Sequence, residues 1–342
     1  MIPIIEPSFS KSKTDKKMSR QIIKGQSVHL LIGMSGSKQL IAASTSCDLS
    51  VTVNTTDAAA KDDPGQIWDN PIPTTSEWSM NNESFICDIA FLGTLLDKVI
   101  NGDAKLSIKW LVTNTFAYIG DAIVSSLKVS APAEGYATLS LSLEGCSPLI
   151  SDSNTSPVTL PDTPPARIKG KPLMVYFDNS GTNCFTICAA TSHTLTISCQ
   201  TSSILTKDDN EKQVLKEVTG KSISLSTENL MELHSETSTQ DWKASTILNL
   251  ALSTPNGKRM RFGYFADSIG KDVETGGENG SWKNPESILE GLFMVSSFSM
   301  NAPNKDNVTY TAEFVGQGMP TISAAPSAAA LAASSEATTA EA

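Results

Sequence analysis

Residues 41–53, IAASTSCDLSVTV, align with residues 187–199, ICAATSHTLTISC, without a gap. The offset is 146 positions, and the match continues to Lys61-Asp62-Asp63 over Lys207-Asp208-Asp209. Nine of the 23 aligned positions from 41/187 to 63/209 are identical. A match of this length within one chain predicts that one structural unit occurs twice in tandem.

Two further blocks extend the match in the same order. Ser79, Met80 and Glu83 lie over Ser224, Leu225 and Glu228 at offset 145. At offset 171, residues of the first copy match residues of the second as follows: Gly120 with Gly291, Val124-Ser125-Ser126 with Val295-Ser296-Ser297, Ala131-Pro132 with Ala302-Pro303, Thr138 with Thr309, and Gly145 with Gly316. The larger offset predicts an insertion of about 26 residues in the second copy. The Gly-rich and acidic residues 266–284 are the candidate for it.

The repeat and the composition together predict five segments. Residues 1–20 form an N-terminal arm, residues 21–146 the first domain, and residues 170–320 the second domain. Residues 147–169 contain five prolines and are predicted to be an extended linker. The Ala/Ser-rich residues 321–342 have too few large apolar side chains to offset the entropy of ordering, so we expect a disordered tail.

The matched blocks alternate with a period of two, which is typical of half-buried strands. Leu49, Val51 and Val53 share one face, and Leu195, Ile197 and Cys199 share the corresponding face. The closing strands repeat this pattern with Leu139, Leu141 and Leu143 in one copy and Tyr310, Ala312 and Phe314 in the other. The predicted fold is mainly β, with two tandem antiparallel β-sandwich or open-barrel domains.

One flanking helix is predicted in the first copy. Asp88 can cap it, and Leu92, Leu95, Leu96 and Val99 form an apolar stripe that ends before Asn101-Gly102. Residues 232–245 of the second copy contain no comparable stripe. A helix there has weaker support.

A β-hairpin is predicted after this position in both copies. In the first copy it consists of residues 105–111 and 116–124. In the second it consists of residues 246–253 and 259–265, joined at Pro255-Asn256-Gly257, because an Asn-Gly step between alternating runs favours a tight turn.

The charge balance excludes some classes of partner. There are 26 basic and 36 acidic side chains, giving a net charge of −10. A surface that holds nucleic acid or anionic lipid needs clustered Lys and Arg, so neither is expected as a bound partner. No apolar segment follows the basic residues of the N-terminal arm, and we expect a cytoplasmic protein whose six cysteines are reduced thiols.

Catalytic and metal-binding patterns are not found in the sequence. His29, His193 and His234 are scattered, and no nucleophile, nucleotide or zinc motif is present. The pairs Asp62-Asp63 and Asp208-Asp209 each follow a Lys, which favours a salt-linked loop contact over catalysis or Ca²⁺ binding. We therefore expect no enzyme activity, no cofactor and no metal.

The repeated residues resemble a known family, the major tail tube proteins of long-tailed bacteriophages. In the second copy the resemblance rests on ATSHTLTI (190–197), TKDD (206–209), SISLSTENL (222–230), VSS (295–297) and FVGQG (314–318). The first copy contains a diverged version, in KDDPG (61–65), Trp68, Trp78-Ser79 and EGC (144–146). The duplication and the insertion before Gly291 depart from the family pattern.

This resemblance implies a structural virion protein that self-assembles. Sheets of neighbouring domains join into a ring with an inner β-barrel, and stacked rings form a hollow tube for DNA ejection. The long loop after the first strand reaches the next ring, which implies inter-ring roles for Lys61, Asp62, Asp63, Trp68, Lys207, Asp208 and Asp209. Residues of the predicted hairpins, Ser107, Lys109, Asn249, Ala251, Arg259 and Arg261, would take part in ring formation.

The implied partners are further copies of the chain, the tape measure, tail terminator and distal tail proteins, and viral DNA that passes without specific binding. The implied location is the virion tail, assembled in the cytoplasm of a bacterial host, with no membrane partner. Two domains per chain favour a trimer that mimics a hexamer, and a hexamer with the second copy as outer decoration is the alternative. Other readings are a tandem β-sandwich adhesin or fimbrial subunit, and the inner-tube protein of a contractile injection system.

Overall fold

The computed structural model describes residues 23–322, except for residues 36, 58–70, 114–115, 154–162, 164, 180–182, 188, 205–212, 232–243, 254–256 and 265–285. Strands make up most of this part of the chain, and all strand ladders are antiparallel. The predicted fold class, mainly antiparallel β with a helix beside the first unit, is confirmed. The N-terminal arm, the candidate insertion at 266–284 and nearly all of the Ala/Ser-rich tail lie outside the described residues.

In the first half of the chain, the described residues form eight strands and one α-helix. These are β1 (His29–Ser35), β2 (Ser37–Leu40), β3 (Ser44–Asp57), β4 (Pro71–Phe85), α1 (Ile89–Ile100), β5 (Lys105–Thr113), β6 (Phe116–Pro132), β7 (Thr138–Gly145) and the short β8 (Ile150–Asp152). A 3₁₀ turn at Gly25–Ser27 precedes them. The predicted strands of the first copy are confirmed.

The second half repeats the same order of elements. It contains β9 (Leu173–Asn179), β10 (Asn183–Thr186), β11 (Ala190–Ile204), β12 (Leu215–Leu230), α2 (Ala244–Ser253), β13 (Lys258–Tyr264), β14 (Glu286–Asn301), β15 (Thr309–Gly316) and the short β16 (Thr321–Ile322). Each helix thus follows the second strand of a long hairpin.

Helix α1 forms where its sequence predicts. The Asp88 carboxylate accepts a hydrogen bond from the Ala90 amide at 2.8 Å, which satisfies one of the free N–H groups at the helix start. The predicted apolar stripe is buried, and Asn101 ends the helix. This stripe anchors α1 in the core.

The predicted strand at residues 246–253 is wrong, because these residues form most of helix α2. Ala244, Ile247 and Leu248 follow helical spacing and place an apolar side towards the core, with Ala244 and Ile247 buried. Asn249 and Ala251 are therefore helical residues and belong to no hairpin. The hairpin of the second half is formed by β13 and β14, and the predicted turn residues Pro255 and Asn256 lie outside the described residues.

Strand order is also the same in the two halves. The first half has the order β3-β4-β7-β6-β5-β1-β2, and the second has β11-β12-β15-β14-β13-β9-β10. Bulges or register irregularities also recur at matched positions in the two halves. The bulge at residues 44–46 corresponds to the one at 190–192, the one at 54–55 to the one at 200–201, and the one at 124–126 to the one at 295–297. One cluster of buried apolar side chains runs through both halves and includes the stripe of α1.

Candidate functional site

Strands β6 and β11 join the two halves edge to edge. Residues 126–132 of β6 pair with residues 192–198 of β11. On the core face, Leu127 lies opposite Ile197 and Val129 opposite Leu195, and all four side chains are at most 1% exposed. The two halves therefore share one continuous sheet, and their junction is built like a protein core.

The end of the β11–β12 hairpin adds polar contacts to this junction. Lys216 Nζ lies 3.0 Å from Glu144 Oε2 and 3.1 Å from Glu77 Oε2, both in the first half. Burial by itself lowers the pKa of Lys216, but the hydrogen bonds to the two carboxylates outweigh it and raise the pKa. Thr201 Oγ1 also donates to Glu144 Oε2, at 2.9 Å.

A second lysine connects the second half to helix α1. Lys221 Nζ donates to the backbone carbonyls of Ile100 at 3.0 Å and Gly102 at 2.6 Å. These carbonyls lie at the carboxyl end of α1, where a cation is favoured by the helix dipole. The contact fixes the helix of one half to the sheet of the other.

Glycines allow close packing beside the junction in both halves. Trp78 is buried, and its Nε1 donates to the Ser147 carbonyl at 2.7 Å. A Cβ on Gly145 would overlap the Trp78 indole. In the second half, Ile223 stands in place of Trp78, and a Cβ on Gly316 would overlap its side chain. The matched glycines at 145 and 316 therefore leave room for the side chain opposite them.

Two strand edges that correspond to the joined edges of β11 and β6 remain without a partner among the described residues. Strand β3 pairs only with β4, and residues 297–301 of β14 pair only with β15. These edges carry apolar side chains, because Val51, Val53 and Met300 are 59%, 55% and 47% exposed. Such edges favour pairing with another chain.

The face of the joined sheet opposite the core is polar. Cross-strand pairing arranges it in rows: Asp48, Asn81, Ser142, Ser126, Ser198 and Ser222; Glu83, Ser140, Lys128, Thr196 and Ser224; and Thr138, Ser130, Thr194, Ser226, Glu313 and Ser297. Most of these side chains carry hydroxyl groups. The charged members are three acids and one lysine, so this hydroxyl face has an acidic excess.

Four of the six hairpin residues predicted for ring formation lie on strands inside the sheet. Ser107 and Lys109 are on β5, which is paired on one side with β1 and on the other with β6. Arg259 and Arg261 are on β13, and both form ion pairs with Glu290, at 3.0 and 2.8 Å. Arg261 is paired with both β9 and β14, and Arg259 is paired with β14. Both backbone edges at Ser107, Lys109 and Arg261 are therefore occupied within the chain.

The predicted inter-ring residues Lys61, Asp62, Asp63, Trp68, Lys207, Asp208 and Asp209 lie outside the described residues. The unpaired edges of β3 and β14 were missed by the sequence reasoning. The repeat shows the difference once the strand neighbours are known: Val51 aligns with Ile197, and among the described residues only Ile197 has a strand beside it in addition to its hairpin partner.

The described part of the chain offers few side chains arranged for metal binding or proton transfer. It contains no group of three or more His, Cys, Asp or Glu side chains that could hold a metal ion. His193 is buried at the junction, and this burial lowers its pKa to about 4, so it is neutral at pH 7. Neither α1 nor α2 is long and apolar enough to cross a membrane.

No protein-family model and no curated protein matches the chain. Solved structures of tails and virions are among those that resemble it. The virion of a native gene transfer agent particle and the tail of an empty gene transfer agent particle with C6 symmetry each give a TM-score of 0.31 at 15% identity, covering 45% of this chain and 98% of the other. The SPP1 tail tube, a hybrid solid-state NMR and cryo-EM structure, gives a TM-score of 0.34 at 18% identity, covering 40% of this chain and 81% of the other. The structural neighbours are thus tail and tail tube structures, at TM-scores too low to carry an argument about function.

Proposed function

We propose that this chain is a structural protein that self-assembles into stacked rings and forms the hollow tail tube of a virion. The observation that carries the proposal is the β6–β11 junction. Through it, two halves with the same strand order continue one sheet, and the corresponding edges of β3 and β14 have no partner among the described residues. A chain with complementary edges at opposite ends associates head to tail, which produces a ring if the rotation closes.

The matched halves support a ring in which one chain fills two places. The order of strands and three bulge positions agree between residues 29–145 and 173–316. A tandem duplication of one domain, with the boundaries 21–146 and 170–320, accounts for this agreement. If the ring has six places, as the sequence resemblance implies, three chains fill it.

The hydroxyl face supports a role as the wall of a DNA channel. The opposite face of the sheet packs against α1 in the shared core. In a closed ring, the face of the sheet that carries the α1 layer takes up more space and lies on the outside, where the circumference is larger. The hydroxyl face, which carries no such layer, then lines the channel. The rows of this face contain one lysine, Lys128, and three acids, so phosphate meets a net negative surface and passing DNA is released easily.

This proposal places the protein in the virion tail, after assembly in the cytoplasm of a bacterial host. Its partners are copies of itself, the tape measure, tail terminator and distal tail proteins, and the DNA in the channel. The role is structural and needs no catalysis.

Electron microscopy of the purified full-length chain, with native mass measurement of the particles, tests this function. We expect rings or tubes with a central channel and ring masses of three times 36.4 kDa. Particles of six chains per ring would overturn the trimer. Monomers at all concentrations, or fibres without a channel as expected for a fimbrial subunit, would overturn the tube function.

A further inference from the structure

We propose that β3 of one chain pairs with the end of β14 of the next chain in the register that β6 and β11 use within one chain. The inference rests on the proposed self-assembly and specifies the contact that makes it. Residues 46–52 of one chain lie antiparallel to residues 297–303 of its neighbour. The partner at both edges is a second copy of this chain.

The register follows from the repeat. Within the chain, Ser192 pairs with Pro132 and Ser198 pairs with Ser126. The offsets of 146 and 171 place Ser46 opposite Pro303 and Thr52 opposite Ser297. The bulges flanking these segments occur at matched positions, so the same sequence positions face the core in both junctions.

Differences in exposure between matched residues identify the missing neighbour. Ile197 is 1% exposed at the internal junction, whereas its counterpart Val51 is 59% exposed. Val129 is fully buried, whereas its counterpart Met300 is 47% exposed. Each exposed residue has the same backbone environment as its buried counterpart except for the adjoining strand. A second copy at this edge would supply that strand.

The side chains brought together by this register are compatible. On the apolar face, Leu49 would lie opposite Met300 and Val51 opposite Phe298, as Leu195 lies opposite Val129 and Ile197 opposite Leu127. On the hydroxyl face, Ser50 would lie opposite Ser299. No like charges oppose each other, and apolar cross-strand pairs stabilise antiparallel ladders.

Proline marks the same end of both junctions. Pro132 is the last paired residue of β6 at the internal junction, and Pro303 occupies the matched position after β14. The Ala133 amide donates to the Thr191 carbonyl at 2.7 Å, so Ser192 and Pro132 form a non-hydrogen-bonded pair that needs no N–H group from the proline. Pro303 therefore fits the same place in the intermolecular register.

Disulfide trapping in the full-length chain tests this register. Ser50→Cys and Ser299→Cys are introduced together in a Cys47→Ser background, which removes the thiol nearest to the site. Directly opposed residues have Cβ atoms close enough for a disulfide, whereas diagonal neighbours are farther apart. Under mild oxidation we expect a shift from one chain mass to two and three chain masses on a non-reducing gel, reversed by reductant.

The matched control is Ser50→Cys with Ser297→Cys, which moves an exposed serine by two positions on the same face. We expect it to remain mostly at one chain mass, and we expect Thr52→Cys with Ser297→Cys to cross-link. Rings seen by electron microscopy with equal cross-linking of the matched and shifted pairs would overturn the register but leave the tube function intact. Cross-links that join position 50 of two chains in the Ser50→Cys single variant, identified by peptide mass spectrometry, require β3 to meet β3 and would also overturn it. Absence of rings would contradict the proposed function itself.

Discussion

Strands β3 and β11 have the same apolar pattern and matching bulge positions, and each forms a long hairpin with the next strand, β4 and β12 respectively. Their surroundings on the other side differ. The apolar side chains of β11 are buried because β6 lies beside them. Val51 and Val53 of β3 are exposed, because no described strand pairs with the outer edge of β3. The comparison shows that alternation predicts which face of a strand is to be buried, and leaves open whether the same chain or another one buries it.

Substituting aspartate for an apolar residue in β11 or in β3 gives the largest expected effect on stability or on assembly. Ile197→Asp places an unpaired carboxylate in the buried junction, and we expect it to lower the free energy of unfolding by about 4 kcal/mol or more. Val51→Asp lies on an exposed edge and should cost about 1 kcal/mol or less in the isolated chain. It should nevertheless abolish ring formation.

Urea unfolding of monomeric protein and sedimentation of assembled protein measure these two effects. Leu252→Asp is the control, because Leu252 is an exposed apolar residue on α2 and belongs to neither edge strand. It should preserve stability and assembly. Equal destabilisation by Ile197→Asp and Val51→Asp, or normal rings from Val51→Asp, would contradict the difference between the strands.

The matched pair Cys47 and His193 predicts an intermediate effect that depends on pH. Burial lowers the pKa of His193 to about 4, below the value near 6.5 expected when unfolded. Between these pH values the unfolded chain binds a proton that the folded chain does not. Stability is therefore lost as pH falls from about 6.5 to about 4, by up to roughly 3 kcal/mol.

His193→Cys gives the second half the residue of the first and removes this proton uptake. We expect its free energy of unfolding, measured against wild type in urea, to decrease less between pH 7.5 and pH 5. His29→Cys is the control on a less buried histidine, whose pKa is also lowered by burial. The same pH dependence in wild type and His193→Cys would show that another group controls acid stability.

Lys216 provides the smallest expected effect. Its ion pairs to Glu77 and Glu144 are partly exposed, so Lys216→Met should cost less than about 1 kcal/mol and should weaken the salt dependence of unfolding. The matched residue of the first half is Pro71, which carries no charge. We therefore expect salt to weaken the internal junction and to have little effect on the junction between chains, as measured by ring dissociation at rising salt.

The sequence predicts the strands and α1 well because their patterns are local. Period-two alternation identified β7 and β15, and a capping Asp88 with an apolar stripe identified α1. Helix α2 was missed because its stripe begins at Ala244, at the end of the segment in which a helix was sought. A short run containing Ile247 and Leu248 fits both a strand and a helix.

The candidate site was harder to predict, because an edge is a property of the assembled sheet. Ser107 and Arg261 lie in alternating runs, and nothing local indicates that strands on both sides already pair with them. The free edges of β3 and β14 become visible only when the neighbours of each strand are known. Their counterparts in the other half then indicate what is missing.

The β6–β11 junction also has a kinetic consequence. Because linked halves meet at a high effective concentration, this junction forms as each chain folds, without a collision between chains. In the proposed ring of six places, three pre-joined pairs assemble by two encounters and one closing contact within the assembly, so fewer translational degrees of freedom are lost than with six separate domains. Dissociation should follow the same seams, and a ring that breaks open should release intact chains that can be used again.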